Sequence, residues 1–157
     1  MDMDKNLPQN AYKRALIWLG GGHFINDIYT GVLNPIMPFI AAKIGISMAI
    51  ATIILTISHI FSSLLQPLFG FFADNNVKRS FIFWGLILSS LFIPMSAMAN
   101  KPLILVLFII IGSIGSSLFH PQALGFASRF AKYSDVGKAM AVFVAMGTLG
   151  YSCGPIV

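Results

Sequence analysis

Formal charges in this chain are spaced too widely for a water-facing fold. From Ala15 to Ala42 the sole charge is Asp27, and Ile44–Ala73, Ser80–Asn100, Leu103–Ser128 and Ala139–Val157 carry none. A membrane helix needs about 20 mostly apolar residues, so each stretch predicts a span. Composition agrees: 57% of residues are hydrophobic and 10% charged, where soluble domains carry about 25% charged residues, and the mean hydropathy is +0.83. This excludes a soluble enzyme, a disordered chain and a nucleic-acid-binding domain despite the net charge of +5. No nucleophile–base–acid set or metal-ligand cluster is recognisable in the sequence, so neither an enzyme nor a cofactor is expected. The single cysteine, Cys153, has no partner for an internal disulfide.

The expected fold is an all-α polytopic membrane bundle. Runs such as Ile104–Ile111 do not alternate as barrel strands would. Spans are predicted at about 15–41, 47–73, 80–99, 103–127 and 138–157, after an N-terminal tail over 1–12. The connectors Lys43, Asp74–Arg79, Lys101 and Arg129–Lys138 are short, as between antiparallel neighbours. With the N-terminus in the cytoplasm, Lys5, Lys13, Arg14, Lys78, Arg79, Arg129, Lys132 and Lys138 lie inside, and only Lys43 and Lys101 outside. That bias obeys the positive-inside rule and predicts a multi-pass protein of the cytoplasmic (inner) membrane. The long first segment, with Asn26 and Asp27 inside it, does not read as a cleaved signal peptide.

Ionisable groups at membrane depth are costly and usually functional. His23, Asn26, Asp27, Thr30 and Asn34 fall on one stripe of the first helix, at about 100° per residue. A carboxylate there costs several kcal/mol unless partnered or protonated, on the order of other buried charges, and a carboxyl that must choose between those states suits proton coupling. Pairing with a neighbouring helix for packing alone is the competing reading. Gly20–Gly22, Pro35 and Pro38 are candidate interruptions of that helix. On the second helix, Thr52, Thr56, His59, Ser62, Ser63, Gln66 and Gly70 share a face, either as packing glue or as a cavity wall with His59 and Gln66 lining it. On the fourth, Ser113, Ser116, Ser117 and His120 line a face next to Pro121, which removes a backbone hydrogen bond. The third helix offers serines but no evident chemistry.

Between the second and third spans, Gly70 stands four residues before Asp74, with Lys78 and Arg79 following. The glycine permits close helix approach, the acid can sit on a facing helix N-terminus, and the cations can pair with acids across the same face. Contacts of this kind, broken on a conformational change, make a gate; a charged helix cap is the alternative.

Together these residues resemble the cytoplasmic signature of the major facilitator superfamily, with Asn75 and Val77 in place of its usual Arg and Gly, and with Ile109 near the place of an Arg that many members carry. The strings Gly22–Asp27, Ser62–Pro67, Gly115–Pro121 and Gly154-Pro155 are similar to the fosmidomycin resistance protein family of drug-efflux transporters, with Gln122 where members often have an acid. The resemblance implies a twelve-helix fold of two six-helix halves, with residues 13–157 forming part of the first half. It further implies a small-molecule substrate, protons and the lipid bilayer as partners, no nucleic acid, and a C-terminal half missing from this chain. The function implied is secondary active transport, as proton-coupled efflux of a drug or metabolite. An importer of a sugar, organic acid or anion is the alternative, and a small membrane scaffold the alternative of another class. The residues assigned to coupling and cavity are Asp27, His23, Asn26, His120, His59 and Gln66; those assigned to gating are Gly70, Asp74, Lys78 and Arg79.

Overall fold

Each of these apolar stretches becomes one helix in the computed structural model, which describes residues 8–75, 79–129, 131 and 135–156. The helices are α1 (Gln9–Ile44), α2 (Met48–Asn75), α3 (Arg79–Met95), α4 (Pro102–Arg129) and α5 (Val136–Cys153), with 3-10 turns at Ser96–Met98 and Gly154–Ile156. Among the described residues there is no strand. Segments Met48–Phe72, Ser80–Met98, Pro102–Arg129 and Val136–Ile156 are long and apolar enough to cross a membrane. α1 differs for a physical reason: its polar stripe dilutes its apolarity. Its 36 residues still reach about 54 Å at about 1.5 Å per residue, beyond the about 30 Å of hydrocarbon.

The expected helix interruptions do not occur. α1 runs unbroken through Gly20–Gly22, Pro35 and Pro38, and α4 through Pro121. Neighbouring helices restrain proline-containing segments in membranes and re-satisfy the freed carbonyls. α1 ends where the chain needs a left-handed residue: Gly45 has φ 72°, and the Ile46 N–H donates to the Ala41 carbonyl at 3.0 Å. Ser47 then opens α2, its Oγ accepting from the Ile50 N–H at 3.3 Å.

α4 packs between α2 and α3, while α5 packs along α1. Three seams hold these pairs. Along α3–α4, a Cβ at Gly115 would stand 2.6 Å from the Ser89 nitrogen, and one at Gly85 2.7 Å from the Phe119 nitrogen. Along α1–α5, the backbones of Gly31 and Gly150 meet the facing helix at Tyr151 and Phe24, leaving no room for a Cβ. Along α2–α4, hydroxyls pair instead: Ser58 with Ser113 at 2.8 Å and Ser62 with Ser117 at 3.0 Å.

Two apolar cores lie at different depths. One joins Leu33, Met37, Ile40, Ala51, Ile93, Leu105 and Ile109 near the end that carries Lys43 and Lys101. The other joins Phe119, Ala123 and Phe143, with Leu19, Ile82 and Leu86 against them, nearer the Arg129 end. Lys43 itself donates to the Ala97 carbonyl at 3.1 Å, tying α1 to the turn after α3. At the opposite end the Tyr12 hydroxyl donates to the Ala127 carbonyl at 3.3 Å, and Lys138 pairs with Asp135 at 3.7 Å. Trp18, Phe39, Leu64 and Leu103 are among the large apolar side chains left exposed on the outer surface, as a lipid-facing surface requires.

Candidate functional site

Asp27 lies at the midpoint of α1, between the two apolar cores. One turn earlier on the same face, His23 brings its Nε2 to 3.2 Å from Asp27 Oδ2. Across the interface, His120 of α4 brings its Nε2 to 3.3 Å from Asp27 Oδ1. The carboxylate is thus clamped between two imidazoles, whose rings meet edge to face at 4.8 Å.

Both rings are anchored from behind. His23 Nδ1 donates to the Phe143 carbonyl of α5 at 2.8 Å, and the Phe143 ring stacks on the imidazole at 4.2 Å. His120 Nδ1 donates to the Ser116 carbonyl one turn back at 2.7 Å. Asn26, fully buried, is the hub that sets the carboxylate. Its Nδ2 donates to Asp27 Oδ1 at 2.8 Å and to Ser116 Oγ at 3.2 Å, and its Oδ1 accepts from Ser89 Oγ of α3 at 2.5 Å. No buried side-chain polar atom among the described residues lacks a hydrogen bond, so this network is fully satisfied, the condition for a low-dielectric polar cluster to be stable.

A cavity of about 440 Å³ opens beside the clamp, lined by His23, Ser63, Gln66, Pro67, His120, Pro121, Leu124, Phe143 and Val144. All of these residues lie in the halves of their helices that run toward the Arg129 end. On the other side of Asp27, the core around Met37 and Ile109 fills the space, and both residues are almost fully buried.

Four of the expected coupling and cavity residues meet at one point: Asp27, His23, Asn26 and His120. Gln66 lines the cavity next to them. His59 is not brought to the group. It is exposed on α2, because the face of that helix turned to α4 passes through Ser58 and Ser62, with His59 about 100° round from Ser58. Gly70 faces Pro121, and a Cβ there would stand at an ordinary 3.7 Å. Lys78, and the side chains of Asp74 and Arg79, lie outside the described residues. Gln122 is buried, with Nε2 donating to the Phe69 carbonyl at 3.4 Å, and Ile109 fills an apolar core instead of presenting a charge.

The third helix is a correction: Ser89, fully buried, belongs to the site through Asn26. Two further contributors come from α5. The Phe143 carbonyl, being backbone, left no mark in the side-chain pattern. Gly147 did leave one, in its spacing with Gly150 and Gly154: a Cβ there would run into the His23 ring and stand 2.8 Å from Asp27 Oδ2.

Comparison with known proteins follows the same lines. The family profile described as Major Facilitator Superfamily matches residues 19–157. The fosmidomycin resistance protein of Escherichia coli (strain K12) is 30% identical over 143 residues, 86% of this chain and 33% of that protein. The MFS-type transporter YfnC of Bacillus subtilis (strain 168) is 25% identical over 150 residues, 96% of this chain and 36% of that protein. A probable nitrate transporter, NarT, of Staphylococcus epidermidis is 28% identical over 130 residues, 80% of this chain and 33% of that protein. The chain therefore spans about a third of the length of the curated relatives it matches. No solved structure matches it significantly.

Proposed function

The chain belongs to the Major Facilitator Superfamily, and on that footing we propose that it works as the N-terminal part of a proton-coupled transporter that expels a drug or small metabolite. The observation that carries this reading is the Asp27 carboxylate held between His23 and His120 at mid-helix, beside a cavity. It is the sole acid in any predicted span, so it is the carboxyl in this part of the protein that can load a proton at membrane depth. The cavity side gives the proton a route, and the Met37–Ile109 core denies it one on the other side. Gln66, Ser63 and the two imidazoles, all lining the cavity, supply groups to orient a small ligand. The remaining helices of the transporter, on this reading, close the other side of the cavity.

Efflux is favoured by the fosmidomycin resistance relative. The relative named as a probable nitrate transporter supports the second reading, an importer of a small anion through the same site. In the orientation proposed from the cations, the N-terminus and the Arg129 end face the cytoplasm, and the cavity opens inward.

The test is Asp27→Asn in the transporter containing this chain, reconstituted in vesicles. Uphill, proton-driven transport is expected to vanish, while substrate exchange without a gradient persists. Normal concentrative transport with unchanged pH dependence would make Asp27 a packing residue. The direction of uphill flux in oriented vesicles decides between efflux and import.

A further inference from the structure

The hydrogen-bond partners of the two imidazoles fix how many protons the clamp holds. A backbone carbonyl accepts and never donates, so the ring nitrogen facing it must carry hydrogen. That applies to His23 Nδ1 against the Phe143 carbonyl and to His120 Nδ1 against the Ser116 carbonyl. In each neutral ring the hydrogen is then spent, and Nε2 is a bare lone pair. Yet each Nε2 faces an oxygen of the same carboxylate, at 3.2 Å and 3.3 Å. Lone pair would face lone pair twice.

We infer that this closed arrangement of His23, Asp27 and His120 holds two bridging protons, one in each Nε2–carboxylate contact. The count is the same whichever atoms own them. With both rings as imidazolium and Asp27 ionised, the cluster carries a charge of +1. With Asp27 protonated, one ring neutral and the other imidazolium, it is again +1, and each bridge still has one hydrogen. When both protons leave through the cavity, the rings become neutral, the carboxylate is ionised, and the charge is −1. The two contacts then lose their hydrogens, so the Asp27–His120 bond between α1 and α4 is lost while Asn26 still donates to Ser116 Oγ.

Among the described residues no further His, Cys, Asp or Glu joins the cluster. α3 contributes Ser89 through Asn26, and α4 contributes Ser116, through Asn26 and through its own Oγ 3.3 Å from His120 Nδ1, a longer contact than the 2.7 Å from that nitrogen to the Ser116 carbonyl. α2 brings Ser63 and Gln66 to the cavity, and α5 brings Phe143 and Gly147. On α1, Tyr29 packs on the apolar core, and α5's Tyr151 hydroxyl accepts from Asn34 Nδ2.

This inference deepens the coupling reading and rests on it for its meaning in transport, but its test is separate. The protein, labelled with ¹⁵N in histidine, is placed in lipid nanodiscs and titrated by NMR, with His59 as a ring outside the cluster. His23 and His120 are each expected to keep hydrogen on Nδ1 throughout, and the cluster to release two protons from acid to alkaline pH. Asp27→Asn should release one, because its amide can donate to one bare Nε2 while its oxygen accepts from the other. His120→Gln should also release one, which guards against a rearrangement peculiar to the asparagine. A single proton released by the unmodified protein, a bare Nδ1 in either ring, or Nε2 signals that shift on adding EDTA, showing a metal ion in the bridge, would overturn the inference. Two protons together with transport that ignores the proton gradient would leave the count standing and remove the coupling reading.

Discussion

The α1–α5 seam and the α2–α4 seam solve one problem in opposite ways. Between α1 and α5 the backbones touch: Gly31, Gly150 and Gly154 leave no space for a side chain, and Gly147 presses on His23 and Asp27. Between α2 and α4 serine hydroxyls fill the seam, Ser58 with Ser113 and Ser62 with Ser117, and Ser117 Oγ also donates to the Ser62 carbonyl at 3.1 Å. In lipid no hydrophobic force drives helices together, so packing and polar contacts must do it. Steric seams fail abruptly when a methyl is added; hydroxyl seams weaken by one small interaction at a time. The contrast teaches where the site is rigid: the half of the clamp made by His23 and Asp27 is backed by a seam without slack.

Gly147→Val is the strongest way to sharpen this contrast. Its side chain enters the space of the His23 ring and the Asp27 carboxylate, so transport should be lost altogether, with thermal stability in detergent falling by about 1–3 kcal/mol as for other overpacked sites. Wild-type transport in this variant would mean that α5 has room to move away. Ser89→Ala comes next. It strips Asn26 Oδ1 of its donor in a buried site, which costs about 1–3 kcal/mol, visible as a lowered unfolding midpoint; an unshifted midpoint would show that another donor replaces it. On the hydroxyl seam, a Ser58→Ala and Ser113→Ala double-mutant cycle should return a coupling of only about 0.6 kcal/mol, near the average for such pairs in membranes. A coupling of several kcal/mol would erase the distinction between the seams. The smallest effect belongs to Gly70→Ala, whose new Cβ meets Pro121 at an ordinary 3.7 Å: folding stability and substrate binding should both be unchanged within experimental error. The bulkier Gly70→Leu should depress transport while sparing equilibrium substrate binding.

The sequence was legible where one residue type carries one meaning. Gaps between charges marked the helices, and the stripe through His23, Asn26 and Asp27 marked the polar cluster that forms the candidate site, because polar groups on an apolar helix have few alternatives. It was not legible where a neighbour decides. His59 and Ser58 are adjacent on a helix polar over a broad arc, and only the position of α4 selects Ser58 for the seam. Ser89 looked like an ordinary membrane serine until Asn26 of another helix reached it. The Phe143 carbonyl that sets the His23 tautomer belongs to every residue alike, so no pattern of side chains could announce it.

The apolar core around Met37, Leu105 and Ile109 has an electrical meaning. It lies between Asp27 and the Lys43 end and is built of apolar side chains, with Tyr29 packed at its edge. On the reading proposed above, with water admitted from the cavity side and apolar side chains on the other, most of the membrane voltage would fall across that plug, as it falls across the thin insulator of a capacitor. A full crossing is worth about 2.3 kcal/mol per elementary charge at 100 mV. On the coupling reading proposed above, a proton waiting at Asp27 from the cavity side has crossed little of that drop, so the charge movement belongs to the step that carries Asp27 from one side of the plug to the other, and that step is the one a membrane potential would speed or slow.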